Sequence, residues 1–150
     1  MTLTTHNRIE VLHGVNLDML GRRDPEHYGN FTLIELETRV KRFGRELDLE
    51  LAFYQTNHEG DFVERLHRLP DAADAAILNA GAWTHYSWAI RDALEIAALP
   101  TVEVHLSDVA AREEWRHHSV LDGLVIGTVS GKGPDGYREA LEMLKRELAL

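Results

Sequence analysis

The chain has 150 residues, no cysteine and a formal net charge of −9. Lack of cysteine excludes a disulfide framework and a thiolate site, and the acidic balance argues against a general nucleic-acid binder, which needs a basic surface. A hydrophobic share of 44% beside 27% charged residues suits one globular core; with no stretch long and apolar enough for a membrane span and no secretion-signal pattern, the expected location is the cytoplasm.

Short apolar runs of β type alternate with helical periods. Ile9, Glu10, Val11 and Leu12 read as a first strand. Thr32 caps a helix whose stripe is Leu33, Leu36, Val40, Phe43 and Leu47, at helical spacings. Residues 50–55 form a second strand, and Phe62, Val63, Leu66 and Leu69 mark a second helix that ends near Pro70. Residues 75–79 are a third, apolar strand; residues 87–98 form a helix stopped by Pro100. A fourth strand covers 102–106 and a fifth 124–129, with a short helix expected around 110–119. Tyr137, Ala140, Leu141, Leu144 and Leu148 form the face of a closing helix. This alternation predicts an α/β fold with a parallel sheet covered on both faces. No repeat or linker interrupts it, so residues 1–150 are expected to be one domain.

Two connections are unusually long. A strand-to-helix loop commonly has about 2–6 residues. The segment between Leu12 and Thr32 is far longer and carries Arg22, Arg23, Tyr28 and several glycines, so residues 20–31 form a candidate lid. The second long connection follows the fourth strand, over residues 107–123.

In an open α/β sheet, ligands bind beyond the carboxyl ends of the strands, where the strand order reverses. That rule collects Asn16, Arg22, Arg23 and Tyr28 after the first strand, Asn79, Gly81, Thr84 and His85 after the third, and Glu103, His105, Ser107, Arg112 and Arg116 around the fourth. Glu103 and His105 are two apart on a strand and share a face. The carboxylate can fix the imidazole tautomer for acid–base work, and a structural ion pair fits the same spacing. An unperturbed tyrosine is a poor base at neutral pH, while an adjacent guanidinium favours the phenolate. On the residues alone, a solvated loop with a packed tyrosine is the simpler reading of Arg23 and Tyr28. Thr84 reads equally as a helix cap. His85, His105, His117 and His118 raise a zinc reading, but no His-Glu-x-x-His pattern accompanies them. Gly131, Lys132 and Gly133 lack the spacing of a phosphate loop and read as a turn.

Several separate blocks, in order, resemble the type II 3-dehydroquinate dehydratase family. They are His13-Gly14-Val15-Asn16-Leu17, Leu20-Gly21-Arg22-Arg23-Asp24-Pro25, Tyr28-Gly29, Gln55-Thr56-Asn57-His58-Glu59-Gly60, Leu78-Asn79-Ala80-Gly81-Ala82-Trp83-Thr84-His85, Arg91-Asp92-Ala93-Leu94, Glu103-Val104-His105-Leu106-Ser107, Ala111-Arg112-Glu113-Glu114-Trp115-Arg116-His117-His118-Ser119 and Gly136-Tyr137. The resemblance implies a flavodoxin-like three-layer sandwich with strand order 2-1-3-4-5. It implies trans dehydration of 3-dehydroquinate, a small anionic cyclic substrate, to 3-dehydroshikimate through an enolate, with no metal and no other cofactor. It implies a homo-oligomer, a dodecamer of four trimers, with neither nucleic acid nor membrane as partner.

By the same resemblance, Tyr28 is the base, Arg23 favours its ionised form, Asn16 helps stabilise the enolate and His105, oriented by Glu103, is the acid. Asn79, His85 and Arg116 hold substrate hydroxyls, and Leu106 and Ser107 hold the carboxylate through backbone amides. Arg112 supports the contacting residues from behind, and Asp92 enters a neighbouring subunit's site. Aromatic biosynthesis and quinate breakdown both remain open as the setting. The chain departs from the family's usual Asn-Gly-Pro-Asn at His13-Gly14-Val15-Asn16, and from Ser-Asn-Val-His at Ser107-Asp108-Val109-Ala110. Trp83 and Tyr86 are bulky for positions beside a pocket. These departures keep two alternatives open: a divergent paralogue acting on a related cyclic β-hydroxy ketone, and a non-catalytic binding module on the same fold.

Overall fold

The computed structural model describes residues 6–150. Strands β1 (Arg8–His13), β2 (Glu50–Gln55), β3 (Ala75–Asn79), β4 (Thr101–His105) and β5 (Gly127–Ser130) form one sheet. All neighbours are parallel, in the order β2-β1-β3-β4-β5, which is the flavodoxin-like order. A short helix α1 (Pro25–Tyr28) lies in the long connection after β1. Helices α2 (Leu33–Glu46) and α5 (Asp135–Glu147) cover one face; α3 (Glu59–Ala72) and α4 (Trp88–Ala97) cover the other.

The period-2 alternation of strands decides which side chains go to which layer. Ile9 and Val11 of β1, Ala75 and Ile77 of β3, and Val102 and Val104 of β4 pack under α2 and α5. Leu12, Ala76 and Leu78 pack under α3 and α4. His13 and Asn79 therefore point toward α5, while Glu103 and His105 point to the opposite face. Thr32 begins α2 as expected, with a reciprocal capping box to Glu35.

Three elements differ from the sequence-based expectation. Helix α3 continues through Pro70 to Ala72. In a last turn the missing N–H removes one hydrogen bond, and the Ala73 N–H still closes the helix on the Leu69 carbonyl at 2.9 Å. The fifth strand starts at Gly127, not at residue 124, because the Leu124 and Val125 N–H groups both turn back to the Leu121 carbonyl. The expected helix at 110–119 is two 3₁₀ turns, Val109–Ala111 and Glu114–Arg116, with extended Arg112 (φ −109°, ψ −166°) after the first.

β1 ends on a wholly buried imidazole. Burial pushes the His13 pKa down to about 4, because its charged form would lose solvation. The unfolded chain, titrating near 6.5, takes up this proton first. The neutral group's contribution is therefore full above pH ~6.5 and is lost as pH falls toward 4. Between pH 7 and pH 4.5, wild type should lose roughly 2 kcal/mol more stability than His13→Gln in paired denaturant titrations. Equal losses in the two proteins would mean that His13 is not buried neutral.

Candidate active site

The strand order reverses beside β1 and β3, and a cleft opens at the carboxyl ends of β1, β3 and β4. It spans about 550 Å³, part of it open to solvent. Asn16, Arg23, Tyr28, Asn79, His85, His105, Leu106, Ser107, Arg112 and Arg116 line it. Glu103 lies buried on the same strand face as His105, and Asp92 stands apart, exposed on α4.

Tyr28 is brought to the cleft by local chemistry. The Asp24 carboxylate caps α1 by accepting from the Glu26 N–H, and Pro25 occupies the first turn, where its missing N–H is harmless. Gly29, at φ 73°, stops the helix directly after Tyr28. The phenolic oxygen accepts from Arg23 Nη2 at 2.7 Å and from Arg112 Nη1 at 2.6 Å. The Arg23 guanidinium also lies over the ring, 3.6 Å from its centroid. Arg112 further donates to Ser107 Oγ at 3.3 Å. Arg112 thus stands on the phenol itself, one layer closer than the sequence reading placed it. The extended backbone that aims it there follows a turn where a helix was expected.

The cleft is strongly cationic. Burial lowers the Arg23 pKa, Tyr28 opposes that shift, and the nearby charges of Arg116 and Arg112 add to it. Arginine remains protonated under these conditions, so three guanidinium groups create a local field for a small anion within an acidic protein.

On the opposite wall, His105 Nε2 and Glu103 Oε2 are 2.5 Å apart. A carboxylate accepts, so Nε2 carries the hydrogen and Nδ1 is left for the cleft. Glu103 is only 1% exposed, and its other oxygen accepts from Ser119 Oγ at 2.7 Å. The Ser119 oxygen accepts in turn from the Leu121 N–H at 3.1 Å. The sequence reading gave Ser119 no role, since nothing local signals a contact across sixteen positions.

His85 stacks beside His105 with ring centroids 6.2 Å apart. Its Nδ1 donates to the His118 carbonyl at 2.7 Å. Partial burial lowers its pKa; that carbonyl bond opposes the shift, and His105 and Arg116 reinforce it. The neutral ring therefore presents Nε2 as an acceptor. Thr84 is not a cap: its hydroxyl is buried without a hydrogen-bond partner, and Ser87 begins α4 by accepting from the Ile90 N–H. Among the described residues, no three His, Asp or Glu side chains form a group able to hold a metal ion.

Asn16 adopts the left-handed conformation at φ 69°, which asparagine tolerates better than most residues. Its N–H donates to Asn57 Oδ1 at 2.8 Å, and Asn57 Nδ2 donates to Asp18 Oδ2 at 3.0 Å. Asn57, from the loop after β2, thus fixes the turn that carries Asn16, another role missed in sequence. At Gly14 a Cβ would run into the Ala80 backbone, so only glycine lets this turn press against the end of β3. Asp108 is not among the residues that line the cleft, and its carboxylate caps the following turn by accepting from the Ala110 N–H at 3.2 Å. Trp83 is buried against Phe62 and Tyr86 is exposed, so neither lines the cleft.

Comparison with known proteins gives the chain a family and bears out its fold. Residues 7–145 match the family model described as dehydroquinase class II. The chain is 53% identical over 135 residues to the 3-dehydroquinate dehydratase of Pelobacter propionicus, covering 89% of this chain and 91% of that one. It superposes on the crystal structure of type II dehydroquinase from Propionibacterium acnes with a TM-score of 0.89 and 44% identity, covering 93% and 97% of the two chains. The type II dehydroquinase from Butyrivibrio crossotus gives the same TM-score at 38% identity, with 93% and 98% covered. The chain belongs to the class II dehydroquinase family.

Proposed function

We propose that this protein is a 3-dehydroquinate dehydratase, a hydro-lyase that removes water from 3-dehydroquinate in the trans sense to give 3-dehydroshikimate. The observation that carries this reading is one cleft holding two proton-transfer groups on separate supports: a phenol under two guanidinium groups and an imidazole braced by a buried carboxylate.

In this mechanism Tyr28, as phenolate, takes the proton next to the ketone. An oxygen that accepts two guanidinium N–H bonds is matched electrostatically to carrying negative charge. Asn16 helps hold the enolate. His105 acts as the imidazolium, whose charge Glu103 steadies: it gives its Nδ1 proton to the departing hydroxyl, and the neutral ring that results keeps its other hydrogen on Nε2, bonded to Glu103. A base and an acid on different elements can reach opposite faces of the ring, which is what anti loss of water requires. Asn79, His85 and Arg116 bind substrate hydroxyls, and the backbone amides of Leu106 and Ser107 receive the carboxylate. The reaction asks for no metal or organic cofactor.

The whole chain acts in this reading as one catalytic domain, with residues 20–31 as a lid that brings Arg23 and Tyr28 over the substrate. It assembles as a homo-oligomer, four trimers making a dodecamer, in which Asp92 completes a neighbour's site. Supporting this, Trp88, Asp92 and Ile96 lie at four-residue intervals on α4, and Trp88 and Ile96 are 60% and 69% exposed. The assembly works in the cytoplasm; none of the described helices is long and apolar enough to cross a membrane.

The test is the ultraviolet absorbance of a conjugated enone on mixing the purified protein with 3-dehydroquinate. Enone formation faster than with related cyclic β-hydroxy ketones is expected. No enone at high enzyme concentration would refute the assignment.

A further inference from the structure

Beneath the cleft, and bonded to Asn79, lies a buried polar pair that the mechanism above does not use. The side chains of His13 on β1 and Tyr137 on α5 are both fully buried, and His13 Nε2 is 2.8 Å from Tyr137 Oη. Asn79 Nδ2, from β3, donates to the same Tyr137 oxygen at 3.2 Å. Asn79 Oδ1 accepts from the Gly81 N–H at 3.3 Å. Asn79 also lines the cleft.

The hydrogen positions follow from what each group can give and take. The Gly81 N–H needs an acceptor, so it fixes the amide oxygen of Asn79 on that side. Nδ2 then gives one hydrogen to Tyr137. A hydroxyl that accepts there has its own hydrogen to donate, and His13 Nε2 is the acceptor within reach. His13 is then neutral with its proton on Nδ1. The reverse arrangement, with Nε2–H donating to Tyr137, would strand the hydroxyl hydrogen as well as the Nδ1 lone pair. His13 Nδ1 is buried without a partner in either case, so the chosen arrangement leaves one orphan instead of two. The consequence reaches the cleft. With the Tyr137 hydrogen committed to His13, Tyr137 can only accept from Asn79, and an amide flip would set Nδ2–H against the Gly81 N–H. The second Nδ2 hydrogen remains as a donor for the cleft.

We propose that His13 and Tyr137 are positioning residues for substrate recognition: the buried pair locks the Asn79 amide so that it presents an N–H, never its carbonyl oxygen, to a substrate oxygen. This rests on the dehydratase reading for what Asn79 binds, but not for the hydrogen-bond arrangement itself. His13 is the position where the chain departs from the family's usual asparagine, so the device as built here belongs to this sequence.

Kinetics with 3-dehydroquinate test the functional half. Tyr137→Phe and His13→Leu should each raise KM about tenfold, the worth of one hydrogen bond, with kcat changed less than about threefold. His13→Gln should stay near wild type, since its Oε1 accepts where Nε2 did. In an Asn79→Ala background, adding Tyr137→Phe should change KM less than about twofold. An equal KM effect of Tyr137→Phe in both backgrounds would overturn the proposal, because the tyrosine would then not act through Asn79.

Histidine ¹⁵N NMR on the ligand-free wild type tests the arrangement without relying on activity or on a variant's folding. A neutral His13 with its proton on Nδ1 is expected; a proton on Nε2 would overturn the arrangement. If wild type forms no enone while His13 shows the Nδ1 tautomer, the dehydratase reading fails, the claim about its substrate falls with it, and the buried arrangement stands.

Discussion

Tyr28→Phe should lower kcat by about 10³-fold while KM moves less than about threefold. The substitution removes one oxygen and leaves the ring, its packing and the Arg23 guanidinium stacked over it. What disappears is the atom on which Arg23 and Arg112 converge. If that oxygen is the base, its loss acts on the step that makes the enolate and hardly on ground-state binding. Steady-state kinetics give the split between kcat and KM. Exchange of the proton next to the ketone with deuterated solvent gives the step, and it should vanish with turnover. Wild-type turnover in Tyr28→Phe would remove this residue as the base.

His105→Asn should also lower kcat by about 10³-fold, but with a different signature. The enolate can still form when the acid is missing, so exchange of the proton next to the ketone should persist while water loss stops. Glu103→Gln should lose less, about 10²-fold, because the imidazole keeps its place on β4 and loses the carboxylate that steadies its charge. Glu103 has two hydrogen-bond partners, His105 and Ser119, so an amide there can turn a donor toward His105 Nε2 and favour the wrong tautomer. Both effects are read from dehydration and exchange rates on the same samples. Parallel loss of exchange and dehydration in His105→Asn would contradict a separate acid role.

Much of this arrangement was legible in the sequence because it is local. The apolar runs of β1, β3 and β4, the cap at Thr32 and the two-residue spacing of Glu103 and His105 are written within a few positions of each other. The strand-end rule then gathers most of the residues that line one cleft, without knowing which pairs form across it. What stayed hidden depends on residues distant in the chain. Arg112 meets Tyr28 across 84 positions, and Tyr137 meets His13 across 124. Asn57 meets Asn16 across 41. No periodicity records such pairings. The misplaced elements have a related cause: the apolar Leu124 and Val125 pack from a turn as well as from a strand, and the helix expected at 110–119 is split by extended Arg112 into two short turns, the first capped by Asp108. The base role proposed for Tyr28 comes only through resemblance, since an isolated tyrosine in a loop carries no such mark.

The most direct measurement of the central claim uses 3-dehydroquinate stereospecifically deuterated at the methylene next to the ketone, in the position anti to the departing hydroxyl. A base and an acid on separate walls of the cleft predict 3-dehydroshikimate that has lost the deuterium. Product that retains it would show syn elimination and contradict the assignment of proton removal and hydroxyl departure to Tyr28 and His105 on opposite faces of the ring.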